Sequence, residues 1–368
     1  MKKIRFGILG TAVIARKNWK AIHNSGNAII TAVASRDIAR SRKFIAEFQR
    51  EARFPATPRA FGSYEELIAS PDVDAVYMPL PTGLRKEWVI RAAKAGKHVV
   101  CEKPCAADLP ELQEMISACQ RNKVQFMDGV MFMHSKRLML LRKTLDDTKS
   151  IGKIKRIATQ LSFNAPDDFL RGNIRMQSPL EPHGCLGDLG WYCIRFTLCA
   201  LNWQMPRRVR AHILSQAGTK KSRGTVPTEF SAELFFDKDT SASFYCSFIT
   251  ENQAWANVSG TKGYLRVDDF VLPFLGDKLS FEVFNSKFAV RGCDFEMTRN
   301  ARQLSVKEHA NSARDAQETN LFRNFAAQVQ SGKLNKDWPM WSLKTQQVME
   351  ACFTSARQGR EVKLSDSK

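Results

Sequence analysis

The chain has 368 residues, 43% of them hydrophobic and 25% charged, which is ordinary for a globular protein but long for one core, so two domains are expected. It contains no apolar run approaching the roughly 20 residues that cross a bilayer, which argues against a membrane-spanning protein and makes the cytoplasm the expected location. The net charge of +19 favours anionic partners such as phosphorylated cofactors; the positive residues are spread without a basic tail, so no nucleic-acid partner is expected.

The first third of the chain alternates short apolar runs with amphipathic segments. The apolar runs are typical of buried strands, and the segments between them have helical periodicity, one of them opening with a Ser-x-x-Glu capping pattern at Ser63. This alternation predicts an α/β fold with a doubly wound, mainly parallel sheet, so residues 1–128 are interpreted as a Rossmann domain. The predicted strands are 4–9, 28–34, 74–78, 98–101 and 124–127, and the predicted helices are 15–25, 38–50, 63–70, 85–94 and 109–121.

The pattern changes after about Asp128, where longer β-rich segments separated by turns begin. Asp237-Lys238-Asp239 lies between two of them and is typical of a hairpin loop. We therefore predict that residues 129–368 form an α+β domain with a large, mainly antiparallel open sheet that binds the substrate and mediates oligomerisation. The predicted strands are 154–163, 208–216, 228–236, 241–249, 254–259 and 264–267, and the predicted helices are 186–200, 319–330 and about 342–358; residues 275–315 are left unassigned.

A dinucleotide-binding motif joins the first predicted strand to the first helix. The stretch 7–15 matches G-x-G-x-x-G/A with Gly10, Ala12 and Ala15 at the fingerprint positions. Gly10 permits the tight turn, and the small residues let the backbone approach a pyrophosphate at the helix N-terminus. Thr11 and Ile14 lie in the same turn and are included in the predicted cofactor site; the alternative is a plain tight turn.

The end of the second predicted strand favours NADP over NAD. An NAD site usually has an acidic residue there that bonds the ribose hydroxyls, but this chain has Ser35 and Arg36. A hydroxyl and a guanidinium suit a 2′-phosphate, and Arg40 lies one helical turn further on. Asp37 comes one residue too late and is expected to cap the following helix. The alternative interpretation of Arg36 is an ordinary surface arginine.

The predicted strand 98–101 ends in Glu102-Lys103-Pro104 at the carboxyl edge of the sheet, where ligands of open α/β folds bind. With this element the chain resembles the Gfo/Idh/MocA (glucose-fructose oxidoreductase/inositol dehydrogenase) family, nearest its plant-type uncharacterised oxidoreductases and its dihydrodiol/D-xylose dehydrogenase branch. The resemblance spans nearly the whole chain. Its other supports are the turn at Gly10 and the stretches 79–82, 187–192 and 357–362.

The resemblance implies that Lys103 is the catalytic lysine, that a cis bond precedes Pro104, and that Pro79, Leu80 and Pro81 border the cofactor. A lysine here would hydrogen-bond a substrate hydroxyl, hold positive charge beside the nicotinamide and lower the pKa of a nearby phenolate. Glu102 is expected to orient structure rather than transfer protons, although it belongs to the predicted cofactor site. The alternative for Lys103 is a lysine that caps a strand end.

Asp188 and Tyr192 lie four residues apart on a predicted helix and so share one face. We interpret Tyr192 as the general acid/base and Asp188 as the group that fixes the substrate hydroxyl; the dihydrodiol branch has tyrosine where many relatives have histidine. Because the pKa of a tyrosine is about 10, Tyr192 needs a cationic neighbour to act as a base, and Lys103 is the candidate. A capping aspartate and a core tyrosine are the alternative.

Four further residues are weaker candidates for contacts with the substrate. Arg85 stands where many family members have histidine, and His134, Arg137 and His183 are other polar residues that would line a pocket. Each has a structural alternative, because a lone histidine is more often part of the packing. Asp128, directly after the predicted strand 124–127, is a candidate for the hinge, and Trp191 is expected in the core.

The nine cysteines have no C-x-x-C spacing and the six histidines form no H-x-x-x-H pair, so we expect buried thiols and no metal. The runs 230–236 and 244–248 are apolar at several successive positions, which suits a sheet buried on both faces. On this ground, and because members of the resembled family often pair through that face, a homodimer or dimer of dimers is expected. The alternative is a monomer in which residues 275–315 fold back over the sheet.

Together these features predict an NADP-dependent oxidoreductase acting on CH–OH groups. It would transfer a hydride between the nicotinamide and a secondary alcohol or hemiacetal of a small sugar, polyol or cyclic diol. Tyr192 would move the hydroxyl proton while Lys103 stabilises the developing oxyanion. The alternative is a dinucleotide-sensing regulator of the same fold without catalysis, against which the intact Lys103, Asp188 and Tyr192 argue.

Overall fold

A computed structural model describes residues 2–220 and 222–364, and its first sheet has six parallel strands in the order β3-β2-β1-β4-β5-β6. Every pairing in this sheet is parallel, as the alternating pattern predicts. The strand order reverses between β1 and β4, which is where doubly wound sheets bind ligands. The strands are β1 (Ile4–Leu9), β2 (Ala28–Ala34), β3 (Arg59–Phe61), β4 (Ala75–Met78), β5 (His98–Cys101) and β6 (Phe126–Asp128).

The helices between these strands begin at side-chain caps visible in the sequence. Asp37 accepts a hydrogen bond from the N–H of Ala39 at 2.8 Å, and Ser63 accepts one from Glu66 at 3.2 Å, so both predicted caps are confirmed. The first helix differs, because its cap, Ala12, makes no side-chain hydrogen bond. The helices are α1 (Val13–Ser25), α2 (Ile38–Glu51), α3 (Tyr64–Ala69), α4 (Thr82–Lys94) and α5 (Leu109–Arg121).

The second sheet has nine strands in the order β14-β13-β12-β11-β7-β10-β9-β8-β15. Its pairings are antiparallel except for the parallel pair of β7 and β10, so the mainly antiparallel prediction is confirmed. The hairpin at Asp237 also forms, with Lys238 and Asp239 at positive φ. The strands are β7 (Ile154–Asn164), β8 (Arg208–Ala217), β9 (Val226–Phe235), β10 (Ser241–Ser247), β11 (Ile249–Gly260), β12 (Tyr264–Val267), β13 (Lys278–Arg291), β14 (Asp294–Lys307) and β15 (Val362–Lys363).

The last two helices connect the two halves of the chain. The helices after β6 are α6 (Lys136–Asp146), α7 (Asp167–Gly172), α8 (Trp191–Ala200), α9 (Gln317–Gln330) and α10 (Asp337–Gln358). α10 packs against β8 and α8 on one side and against β6 and α5 on the other. α9 returns to the first sheet, where Phe322 and Phe325 lie 5.6 and 5.8 Å from the ring of Phe6. α9 therefore packs as part of the first domain, although its residues belong to the second half of the chain.

β13 and β14 form a long hairpin within the stretch that the sequence left unassigned. Their register runs from Lys278 opposite Lys307 to Arg291 opposite Asp294. The outer half of the hairpin is exposed on both faces, and the side chains of Phe288 and Phe295 are 61% and 75% exposed. Phe288 and Val290 pair with Met297 and Phe295 on one face, so the outer half does alternate apolar and polar residues, an indication of strands that the sequence-based prediction did not use.

The apolar pattern that was expected to cover both faces of the second sheet lies on one face only. Along β9 and β10, buried residues alternate with half-buried ones, and the outward positions hold Ser231, Glu233, Ser243 and Tyr245. The apolar residues between them face the helices, because successive side chains in a strand point to opposite faces. The homodimer loses this support and stays a prediction. Within the described ranges, no helix is long and apolar enough to cross a bilayer.

A buried ion pair joins the first sheet to the helices of the second half. Arg195 on α8 donates from Nη2 and Nη1 to the carboxylate of Asp128 at 2.5 and 3.2 Å, and from Nε to Thr345 on α10 at 2.7 Å. The side chains of Arg195 and Asp128 are 0% and 5% exposed. Asp128 thus lies at the junction between the two halves, as expected for a hinge residue.

We expect Asp128→Ala to lower the free energy of unfolding by about 3–5 kcal/mol, because it leaves the guanidinium of Arg195 buried without its counter-charge. Urea denaturation measures the change. The control is Glu233→Ala, which breaks the exposed ion pair with Arg156 and should cost about 1 kcal/mol or less. Equal effects of the two substitutions would contradict the stabilising role of the buried pair at this junction.

Candidate active site

A cleft of about 1250 Å³ lies between the carboxyl edge of the first sheet and the second sheet. Its first-domain wall consists of the loop after β1, the end of β4 and the loop after β5. Its opposite wall comes from β7, β11, β12 and the segment that precedes α8. The lining includes Thr11, Pro79, Leu80, Pro81, Lys103, Phe163, Arg175, Asp188, Tyr192, Trp255, Arg266 and Phe274.

The glycine turn at the start of α1 has the geometry of a phosphate site. Gly10 has φ +105°, and a Cβ atom there would lie 3.1 Å from Leu80, so the position favours glycine. Ala12 caps α1 without a side-chain hydrogen bond, and the first turn carries no acidic residue. The N–H groups of Val13 and Ile14 at the helix end are therefore available to an anion in the cleft. Ala15 is buried, where its small side chain allows the helix to pack on the sheet.

The residues at the end of β2 gather beside this turn. Ser35 is buried, whereas Arg36 and Arg40 are exposed. Burial raises the pKa of Tyr64, and the positive charges of Arg36 and Arg40 oppose that rise, so both arginines lie near its hydroxyl. That hydroxyl in turn lies 3.8 Å from where a Cβ of Gly10 would stand. The carboxylate of Asp37 caps α2 and is thereby engaged away from this cluster.

Lys103 lies at the centre of the cleft in the loop after β5. Its Nζ donates to Oδ1 and to the backbone oxygen of Asp188, both at 2.6 Å. The same atom lies 4.6 Å from the ring centroid of Tyr192, over the face of the ring. The peptide bond between Lys103 and Pro104 is cis. The structure thus brings together the three residues that the sequence predicts to be catalytic.

Asp188 is shared between two cations. It lies in a π-helical turn, Leu186–Gly190, that leads directly into α8, and such turns recur at functional sites. Its Oδ2 accepts from Nε of Arg175 at 2.7 Å while Oδ1 accepts from Lys103. Burial alone would raise the pKa of Asp188, but Arg175 and Lys103 outweigh it and lower the pKa to about 2. The carboxylate therefore stays ionised throughout the neutral range.

The pKa of Tyr192 is raised well above the usual value of about 10, which corrects the expectation that Lys103 would lower it. Burial is the largest cause, and the carboxylates of Glu102 and Asp188 add to it, while Arg175 opposes the rise. The charge of Lys103 is engaged by Asp188 and lies over the ring rather than at the hydroxyl. Tyr192 is consequently a protonated phenol at neutral pH and is suited to donate a proton.

Buried hydrogen bonds hold the loop of Lys103 from behind. Oε1 of Glu102 accepts from the hydroxyl of Tyr77 at 2.7 Å and from Asn18 at 3.4 Å. Arg85 lines the cleft, but its guanidinium donates to the backbone oxygens of Leu80 and Glu102 at 2.7 Å each and to that of Pro104. Arg85 therefore stabilises the two loops at the cleft edge, which differs from the substrate contact expected for it.

The other three predicted pocket residues lie outside the cleft. His183 is buried with its ring 5.0 Å from Phe353, and burial lowers its pKa to about 4. His134 bonds the side chain of Asn324 at 3.1 Å, and Arg137 is paired with Asp269 under the second sheet. The structure thus places all three side chains in the packing rather than in the cleft, because residue type alone does not show whether a polar side chain is buried in the core or lines a pocket. Trp191 is buried in the core as expected.

A segment of the second half crosses the cleft to the first domain, and the sequence analysis missed it. This segment, residues 165–184, is called the strap below. Glu181 accepts from the backbone N–H and the hydroxyl of Thr82 at 3.1 and 2.6 Å, and Gly83 donates to the oxygen of Leu180 at 2.9 Å. The strap carries Arg175 to Asp188. It has no motif, and its attachment joins residues 99 positions apart, so no local signal reveals it.

Residues 4–130 match the GFO/IDH/MocA oxidoreductase family with its NAD-binding Rossmann fold, and residues 140–266 match that family's C-terminal domain. A D-xylose 1-dehydrogenase (NADP⁺) of Haloferax volcanii is 32% identical over 72% of this chain and 75% of its own length. An uncharacterised oxidoreductase of Rhizobium meliloti is 42% identical, but the match spans 37% of its length. A crystal structure of KijD10, a 3-ketoreductase of Actinomadura kijaniata, in complex with NADP and TDP-benzene, is 26% identical, with a TM-score of 0.79 over 96% of this chain and 98% of that chain.

We expect Gly83→Ala to detach the strap, because a Cβ atom there would lie 2.3 Å from the backbone oxygen of Pro179. Hydrogen exchange of the strap amides should become faster, since opening of the segment exposes them to solvent. The matched control is Gly172→Ala within the strap itself, where a Cβ atom meets nothing within 4 Å. If both variants exchange like the parent protein, the strap is held by contacts other than the one at Gly83.

Proposed function

The chain belongs to the GFO/IDH/MocA family of NAD(P)-dependent oxidoreductases, and we propose that it is an NADP-dependent enzyme acting on a sugar, polyol or cyclic diol. It would transfer a hydride between the cofactor and a CH–OH carbon, with the carbonyl as the oxidised form. The observation that carries this proposal is the contact of Lys103 with both Asp188 and Tyr192, in the same cleft as the glycine turn. A regulator without catalysis would not need these three groups in contact.

The residues around the glycine turn fit a phosphorylated dinucleotide. The free N–H groups at the start of α1 suit a pyrophosphate, and Arg36 and Arg40 supply positive charge for a 2′-phosphate beside Ser35. Gly10, Thr11, Ala12 and Ile14 would hold the dinucleotide, with Pro79, Leu80, Pro81 and Glu102 bordering its nicotinamide end. When bound, NADPH supplies the hydride.

The chain's own residues would handle the proton and the charge. During reduction of a carbonyl, the phenol of Tyr192 donates its proton to the carbonyl oxygen as negative charge develops there. The ammonium group of Lys103 stabilises that charge, and Asp188 holds the ammonium in place. In the reverse direction the phenolate takes the proton back. Because the pKa of Tyr192 is raised, the protonated form dominates at neutral pH, and the phenol is ready to act as the acid in reduction.

Carbohydrates fit the composition of the opposite wall. Phe163, Trp255 and Phe274 line the cleft on the side of the second sheet, together with polar Ser162 and Gln253. Aromatic faces suit the apolar face of a sugar ring, and polar groups between them suit its hydroxyls. The relatives named above act on D-xylose and on a ketone, which supports a sugar carbonyl or hydroxyl as the reacting group.

We expect this protein to bind NADPH at least 10-fold more tightly than NADH, as measured by nicotinamide fluorescence. Arg36→Asp should abolish that difference, because a carboxylate would repel the 2′-phosphate. Arg42→Asp is the control: it makes the same change of charge on α2, where Arg42 lines a separate groove. Equal affinity of the unmodified protein for both cofactors would contradict the assignment of NADP.

We expect Tyr192→Phe and Lys103→Ala each to lower turnover about 100-fold on whichever sugar, inositol or cyclic diol proves best, because each removes acid/base or charge stabilisation. Reduction by NADPH should not depend on pH between about 6 and 9, since the raised pKa of Tyr192 keeps the phenol protonated there. NADPH affinity serves as the control and should persist in Tyr192→Phe. Unchanged turnover in Tyr192→Phe would mean that another group is the acid.

A further inference from the structure

We infer that Arg175 recognises an anionic group of the substrate, a carboxylate or a phosphoryl group, so that the preferred substrate is an acidic sugar derivative. This inference rests on the proposed function and narrows its substrate class. Arg175 has no place in the hydride or proton transfer described above. The guanidinium of Arg175 lies beside the catalytic residues, and only one of its edges is hydrogen-bonded.

Only one edge of the Arg175 guanidinium is occupied. Its Nε bonds Oδ2 of Asp188 at 2.7 Å, and among residues 2–220 and 222–364 no partner lies within hydrogen-bond distance of its Nη1 or Nη2. The side chain is 39% exposed and lines the cleft. Nη1 and Nη2 of this partly desolvated cation are therefore available to a ligand. Because the two groups lie in one plane, their N–H donors match the oxygens of a carboxylate or phosphoryl group.

The local charges favour an anion over a neutral hydroxyl. Lys103 and Arg175 share the single carboxylate of Asp188, so this cluster carries one positive charge. Glu181, whose charge also acts on Arg175, bonds the N–H and hydroxyl of Thr82 at the first residue of α4, where the helix end itself is positive. A substrate anion at Arg175 would neutralise the cluster.

The backbone holds Arg175 in place before any ligand arrives. Asn173 caps the short helical turn Ile174–Met176 by accepting from the N–H of Arg175 at 3.0 Å, and Met176 is fully buried next to it. The strap that carries this turn is attached to the first domain at Thr82 and Gly83. A donor pair fixed in this way loses little conformational freedom on binding, which increases its contribution to affinity.

The test is calorimetric titration of the protein saturated with NADP⁺, using D-glucose, D-glucuronate and D-glucose 6-phosphate. We expect at least one of the two acidic sugars to bind about 10- to 100-fold more tightly than D-glucose, the scale of charge-assisted hydrogen bonds. Arg175→Ala should remove this preference, and Arg175→Lys, which keeps the charge but loses the planar donor pair, should restore part of it.

Arg266→Ala is the matched control. Arg266 also lines the cleft and also has its Nε held by an aspartate, Asp268, at 2.6 Å, but it has no contact with Asp188. The preference for the acidic sugar should persist in this variant. Unchanged affinity for NADP⁺ in Arg175→Ala would show that the first domain is intact.

Three results would overturn the inference: D-glucose binding as tightly as both acidic sugars, no binding of either acidic sugar, or the same loss in Arg266→Ala as in Arg175→Ala. The proposed function fails differently, when no sugar, neutral or acidic, is reduced or oxidised with the cofactor. Turnover of neutral sugars without any anion preference would leave the enzyme assignment in place and refute only the role of Arg175.

Discussion

The carboxylate of Asp188, shared between Lys103 and Arg175, is the interaction on which the site depends. An isolated carboxylate at this depth would be costly, and the two cations keep it ionised with a pKa of about 2. Lys103 follows β5 in the first domain, whereas Arg175 comes from the strap and Asp188 from the turn before α8. One carboxylate therefore fixes three segments from two domains around a single point of the cleft.

This sharing also determines the chemistry expected of Tyr192. Burial and the carboxylates of Glu102 and Asp188 raise the pKa of Tyr192, and Arg175 opposes this rise only in part, while the ammonium group of Lys103 is engaged by Asp188, so the phenol stays protonated. The same helix that carries Tyr192 is anchored three residues later by the buried pair of Arg195 and Asp128. In the proposed mechanism, the position of the acid is thus set from both domains, through one ion pair in the turn before α8 and one on α8 itself.

Much of this arrangement follows from the sequence, and the missing parts have physical causes. Strongly periodic or capped elements such as β2 and α5 have the bounds that the sequence predicts. The i, i+4 spacing of Asp188 and Tyr192 predicts that they share one face, and in the structure both lie at Lys103. Arg175 was missed because it lies in a loop held by Glu181 and Thr82, a pair distant in sequence. His183 and Arg137 were expected in the pocket but lie in the packing, because residue type alone does not show whether a polar side chain is buried away from the cleft.

Transfer of deuterium from NADPH labelled at C4 of the nicotinamide to a sugar carbon tests the account most directly. A panel of neutral and acidic keto- and aldosugars would be incubated with the protein and each C4-deuterated epimer of the cofactor, and the products analysed by mass spectrometry. The account predicts that, with one of the two epimers, a product gains a single deuterium at the carbon that becomes CH–OH, and that Tyr192→Phe slows this gain. Tight NADPH binding with no labelled product from any carbonyl substrate would contradict catalysis and favour a role confined to cofactor binding.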